Sequence, residues 1–315
     1  MNAKAMPGAP ISLSAAKRPE FDSTLAEAIF ETVAYADIFD YPLTAVEIQR
    51  YLIKQAASRA SVQDALEHDP SLVERLSPSD EFFCLTGREA IVVIRRQRES
   101  LARRYWPRAQ RYGRIIASLP FVQMVAITGE LAMDNVRDKS DIDFFIVTEH
   151  RRLWLCRLFV VGVVHLAATF GDTVCPNYLL SERALAISER DLYSAHEVVQ
   201  MIPLAGLDLY AKFRQANRWV YDFLPNAAGA PRQMPALPHA RPVRALTESA
   251  LRTPAGAFLE KWERGRKLKK FAGMSRIHRE ASFSSDWCKG HVHDHGRLIL
   301  AAFEAHKTEI EGSGR

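Results

Sequence analysis

Two aspartates, Asp141 and Asp143, stand one residue apart at the head of the apolar run Phe144-Phe145-Ile146-Val147, and Gly129 follows another apolar run, Met124-Val125-Ala126-Ile127-Thr128. Alternate side chains of a strand share a face, so both carboxylates project to one side and can share divalent cations. Two acids this close repel, and burying them uncompensated is expensive. Bound Mg²⁺, with Mn²⁺ able to replace it, removes that repulsion, prefers oxygen ligands and completes its shell with substrate phosphates. The chemistry this points to is phosphoryl or nucleotidyl transfer, in which one ion activates an acceptor hydroxyl and another holds the triphosphate. Gly129 permits close backbone approach, and the helix start at Thr128, Gly129 and Glu130 offers amide donors to phosphate oxygens. A pair of solvated acids at a strand entrance is the plainer reading. The glycine at this spacing, between two apolar strands, outweighs it.

The elements that must position these residues can be read outward from them. Residues 122–128 and 141–148 have strand character, with a short helix and a turn between them. A long helix is expected from a Thr86/Glu89 capping pattern to about Tyr105, with Pro107 at a kink or a new start. It and its continuation are rich in arginine: Arg88, Arg95, Arg96, Arg98, Arg103, Arg104, Arg108, Arg111 and Arg114. A solvated basic face explains that run most simply, and a phosphate-binding surface beside the site is the sharper alternative. Upstream, residues 23–87 read as three short helices closed by a hairpin, with Thr44/Glu47 at capping-box spacing and Ser61 opening the third helix. That order is winged-helix-like. Its third helix carries Asp64 and Glu67 and no Lys or Arg, the wrong charge for DNA phosphates, so packing or protein contact is favoured over DNA binding.

Five segments follow: a disordered lead-in at 1–22, the winged-helix-like module at 23–87, a domain at 88–225 holding Asp141 and Asp143, a Pro-rich linker or extended arm at 226–245, and a helical C-terminal region at 246–315. The expected fold class is α+β.

The motif at 124–148 resembles the signature of the DNA polymerase beta nucleotidyltransferase superfamily: glycine and serine, a spacer, then Asp-x-Asp entering a strand. The wider chain is similar to bacterial nucleotidyltransferase-domain proteins of undefined substrate. That likeness runs through Asp37-Ile38-Phe39-Asp40-Tyr41-Pro42-Leu43-Thr44, Arg151-Arg152-Leu153-Trp154-Leu155, Pro176-Asn177-Tyr178-Leu179-Leu180-Ser181-Glu182 and Ala195-His196-Glu197-Val198-Val199-Gln200-Met201. The resemblance implies a polymerase beta-like mixed sheet, Asp141 and Asp143 as metal ligands and catalytic residues, Thr128, Gly129 and Glu130 at the nucleotide, an NTP as substrate, and an acceptor that is a small molecule, a protein or RNA. Two departures are visible. Glu130 stands where serine usually follows the glycine, placing negative charge near the expected triphosphate. The superfamily's third carboxylate belongs on a later strand, where Asn177 is the matching position, with Asp172, Glu182 and Glu197 as nearby acids. An amide cannot act as a general base. These departures keep a second expectation open, a catalytically impaired protein of this fold that binds nucleotide or nucleic acid in a regulatory role.

Composition sets the outer bounds. The chain has 315 residues, a net charge of +5 and 48% hydrophobic residues, enough for a sizeable core in two or three domains and a mild preference for anionic partners. Cys84, Cys156, Cys175 and Cys288 lie too far apart for a disulfide framework or paired zinc thiolates, which suits reduced thiols in a cytoplasmic protein. Residues 1–20 lack a secretory pattern, and the apolar stretch 153–170 is broken by Arg157 and His165, which favours a buried helix over a membrane span. The run Cys288-Lys289-Gly290-His291-Val292-His293-Asp294-His295 carries zinc-ligand types without a matching partner spacing, so a polar surface turn is preferred. Trp154 and Trp219 read as core residues.

Overall fold

The computed structural model describes residues 23–235, 237, 241–271, 282–289 and 295–313. The lead-in at 1–22 and the histidines His291 and His293 lie outside the described residues.

Around the aspartates, β4 (Val122–Ile127), β5 (Ile142–Thr148) and β6 (Val174–Ser181) form the middle of a six-stranded sheet. β7 (Ile202–Ala205) flanks β4, and a hairpin of β8 (Ser282–Phe283) and β9 (Trp287–Lys289) flanks β6, giving the order β7-β4-β5-β6-β9-β8. β5 and β6 run parallel, joined through α7 (Leu153–Thr169), while the other pairs are antiparallel, so the sheet is mixed. The near-continuous apolar sequence of β5 reflects helices on both faces. Ile142, Phe144 and Ile146 pack on one face with α5 (Ile91–Ser118), α7 and α11 (Pro254–Phe271); Phe145 and Val147 pack on the other with α1 (Ser23–Asp37), α8 (Leu192–Gln200) and α9 (Leu207–Ala216). α7 is held as a packed helix with Trp154 fully buried, and Glu260 of α11 accepts from the free amides of Trp154 and Leu155 at its first turn, at 3.3 and 2.7 Å. No helix among the described residues is long and apolar enough to cross a membrane.

The N-terminal module contains α1, α2 (Ala45–Tyr51), α3 (Arg59–His68) and a further short helix, α4 (Pro70–Arg75), beside a small antiparallel sheet of β1 (Leu43–Thr44), β2 (Leu76–Ser79) and β3 (Phe82–Leu85). Thr44 and Glu47 form the expected capping box. The other two expected caps move. Ser58, not Ser61, caps α3, its side chain accepting from the Ser61 amide, and Thr86 donates to the Glu74 carbonyl instead of opening α5. α5 also runs unbroken through Pro107. Its basic N-terminal half, with Arg88 just before it, is mortar between the two parts: buried Arg95 reaches Glu47 at 2.9 Å and the Pro42 carbonyl at 2.7 Å, Arg88 binds Asp37 and Asp40, and Arg98 reaches Phe39 and Asn135.

Two further expectations change. The Pro-rich stretch is an arm laid on the body, since Arg232 pairs with Asp134 and buried Leu237 donates to Leu204, and α10 (Arg241–Leu251) begins inside it. The C-terminal region is not purely helical, because β8 and β9 extend the main sheet before α12 (His295–Ser313) returns to α1, where Phe303 meets Tyr35 edge-on and Lys307 pairs with Glu31 at 2.7 Å.

Candidate active site

At the start of β5, Asp141 and Asp143 share a face, and an oxygen of each lies with the Cys175 sulfur within 4.8 Å of one another. Gly129 begins the four-residue helix α6 (Gly129–Ala132) at φ +65°, and a Cβ there would lie 2.4 Å from Asp143 Oδ2. Glycine is therefore required twice, for its backbone angle and for room beside the carboxylate. The Thr128 amide donates to the Asp143 carbonyl at 3.1 Å, fixing this approach.

Burial and the adjacent Asp141 push the Asp143 carboxyl up to about 8, while hydrogen bonding by the Cys175 thiol opposes the rise. The thiol itself is pushed far up, by burial first and then by the two aspartates, so it is a proton donor to them. Two hard carboxylates suit Mg²⁺ or Mn²⁺, whereas a protonated thiol is no ligand for either. Asp141 and Asp143 thus fit a hard dication and Cys175 supports them.

Cys175, not Asn177, occupies the strand position facing the pair. Asp143 pairs with Cys175 and Phe145 with Tyr178, so β6 spends three residues where β5 spends two. This bulge, at Pro176-Asn177, turns the strand and aims the thiol at the carboxylates. Pro176 inside a strand was the available signal, since proline within a sheet marks an edge or a bulge. Asn177 is buried and lines the cleft beyond. Of the nearby acids, Asp172 is held by Arg108 at 2.9 Å and Tyr112 at 2.6 Å, and Glu182 accepts from the His150 amide. Of these three, Glu197 faces the site.

Glu197 comes from α8, which Asp191 caps by accepting from Ser194 at 2.7 Å. Burial raises its carboxyl to about 7, with Lys289 pulling the other way, and its charge reaches Asp143. Lys289, on β9, is buried and donates to Glu189 at 3.0 Å. Lys289 and Glu197, with the unpartnered Thr128 Oγ1, border a cavity of about 30 Å³, room for an ordered water. Neighbouring His196 is buried and lowered to about 4, hence neutral; its Nδ1 lies 2.9 Å from the Leu192 carbonyl and its ring stacks on Tyr35 at 4.3 Å.

These groups open on a cleft of about 650 Å³ whose walls come from α1, α2, α8 and α12 as well as the sheet edge. The size suits a nucleotide-scale ligand. Tyr35, Phe39, Tyr41 and Tyr51 supply its aromatic walls, and Ile299 its C-terminal side. Glu130 also borders it; its carboxylate is drawn to Arg137 at 3.4 Å and accepts from the Ser140 hydroxyl, which offsets part of the charge that sequence alone places before a triphosphate, although that charge still reaches Asp143. Compared with protein families, curated proteins and solved structures, the chain matches none.

Proposed function

We propose that the chain is a metal-dependent nucleotidyltransferase of the polymerase beta type, moving an NMP from an NTP to an acceptor. The observation that carries this reading is Gly129 pressed against Asp143 beside Asp141, at the mouth of a cleft large enough for a nucleotide. Asp141 and Asp143 hold the dication, which supplies charge stabilisation for the triphosphate and the leaving pyrophosphate. Cys175 donates to the carboxylates and keeps them oriented. Arg137 and Ser140 hold Glu130 aside, so the Gly129 backbone is open to phosphate oxygens. Glu197, with a carboxyl near neutrality, takes the acceptor's proton, and Lys289 stabilises its charged form. Aromatic faces of the cleft stack on the base or the acceptor. The N-terminal module, winged-helix-like in its order of elements, serves as the far wall of this cleft.

Cys175 also favours a second reading. A thiol where the superfamily places a third carboxylate suits a protein that binds nucleotide without transferring it. Calorimetric titration with each of the four NTPs, with and without Mn²⁺, tests the shared part of both readings. Binding that needs Mn²⁺ and vanishes in Asp141→Asn/Asp143→Asn supports them; equal NTP binding by wild type and the double variant overturns both.

A further inference from the structure

We propose that the outer face of the C-terminal half of α5 binds the phosphate backbone of a single-stranded nucleic acid. The arginines of α5 divide into two groups that are indistinguishable in sequence. Arg95, Arg96 and Arg98 are spent on ion pairs with the N-terminal module. From Arg103 onward the direction changes. Arg103, Arg104, Arg108, Arg111 and Arg114 are all exposed, while Ala102, Trp106, Ala109 and Tyr112 are buried, so the solvent side of this half is a continuous arginine face. No acid occurs on α5 after Glu99.

One neighbouring carboxylate compensates part of this charge: Asp172 meets Arg108 at 2.9 Å and Arg111 at 3.6 Å. Arg103, Arg104 and Arg114 have no ion-pair partner among the described residues. Every cation in the strip is arginine, whose planar fork matches phosphate oxygens and stacks on rings. From Arg103 to Arg114 the helix rises about 16 Å, a span of about three phosphates along an extended single strand.

A solvated basic face does not account for Phe170. It is 65% exposed at the end of α7, with the Arg111 guanidinium 5.4 Å from its ring centre. An uncovered ring set among arginines is the combination that holds unpaired bases above a tracked backbone, which favours a single strand over a duplex, whose bases are stacked away. The strip also lies along the edge that carries the aspartates. Trp106 donates to Asp134 at 2.6 Å, in the loop leading to Asp141, and Ile142 donates to the Thr173 carbonyl at 2.8 Å, next to the Asp172 that Arg108 grips.

This surface stands apart from the transferase reading and is tested without activity. Fluorescence anisotropy with labelled 12-nucleotide oligo-uridine and oligo-adenosine, over a salt series, reads both affinity and salt slope. Binding with a log–log slope of about −2 is expected, from about three neutralised phosphates on a single strand. Arg103→Ala/Arg104→Ala/Arg114→Ala removes only exposed side chains without ion-pair partners, and should weaken binding at least tenfold and make the slope shallower by about 2. Phe170→Ala should weaken binding several-fold and leave the slope unchanged, as loss of stacking does and loss of charge does not. Absence of oligonucleotide binding at low salt overturns the proposal, as does binding that the triple variant leaves intact. Capture by phosphatidylserine vesicles without oligonucleotide binding overturns it in favour of a membrane surface.

Discussion

Gly129 carries the sharpest prediction at the scale of single residues. A methyl group there meets Asp143 Oδ2 at 2.4 Å and imposes a left-handed angle on a residue with a Cβ. Gly129→Ala should destabilise by about 2 kcal/mol, read as a lowered denaturant midpoint, and should abolish stabilisation by Mn²⁺. Unchanged Mn²⁺ stabilisation would mean that Asp143 is not the ligand. The pH dependence follows from the two raised carboxyls. Asp143 and Glu197 rise from ordinary values of 3.8 and 4.5 to about 8 and about 7, so the native state holds protons that the unfolded chain has released. Stability without cation is therefore full below about pH 4, falls as pH climbs and levels off above about 8. Urea melts in chelator should show that fall from these groups, and saturating Mn²⁺ should flatten it; Asp143→Asn should remove most of it and raise chelated stability at pH 8 by about 1–2 kcal/mol. A chelated protein equally stable at pH 5 and pH 8, and unaltered by Asp143→Asn, would contradict the burial assigned to this carboxyl. That Gly129, Asp141 and Asp143 lie together was legible from residue type and spacing at the ends of two apolar strands. Cys175 was not, because its direction depends on a bulge that shifts the alternation of β6 by one residue.

At the scale of elements, α7 shows how distant segments support the site. Arg152, at its N-cap position, makes no side-chain capping bond, and buried Glu260 from α11 takes the buried amides of the first turn instead. Glu260→Ala leaves two buried donors unmatched and should cost about 2 kcal/mol, seen by denaturant titration; Glu260→Gln, which keeps an acceptor, should recover about half. Equal losses from both would assign the effect to charge instead of to the amide bonds. Strands and long helices were readable from apolar runs, and the Thr44/Glu47 cap from its spacing. The misplaced caps at Ser61 and Thr86 share a weak signal, a serine or threonine three residues before an acid, but fail differently: Ser58 caps the third helix one turn earlier, and the Thr86 hydroxyl is taken by the Glu74 carbonyl. Pro107 suggests a kink or a new start, and no new start occurs: at an exposed position the helix continues past it, losing one bond and keeping its buried face. The hairpin of β8 and β9 escaped notice because strands this short have no periodicity.

Across the whole molecule, the cleft is built by segments far apart in sequence: α1 and α2 on one wall, α8 beside the carboxylates, and α12 returning from the C-terminus. Lys289 places the C-terminal hairpin in electrical contact with Glu197. Lys289→Met should therefore raise the Glu197 carboxyl above about 7, moving the alkaline-going limb of any transfer rate to higher pH while leaving Mn²⁺ affinity at pH 8.5 within twofold. A shift in Mn²⁺ affinity without a shift in the profile would place Lys289 at the cation instead. Sequence located the aspartates but not their surroundings, since ion pairs such as Arg95 with Glu47 and Arg137 with Glu130 are products of the tertiary fold.

Pyrophosphate release tests transfer most directly. Each of the four NTPs is supplied with Mg²⁺ or Mn²⁺ and a mixed metabolite and RNA extract as acceptor source, and wild type is compared with folded Asp141→Asn/Asp143→Asn. Release from at least one NTP in wild type that disappears in the double variant is the expected result. Release equal in the two proteins, or none from wild type in the presence of bound Mn²⁺ and NTP, would contradict a transferase centred on these aspartates.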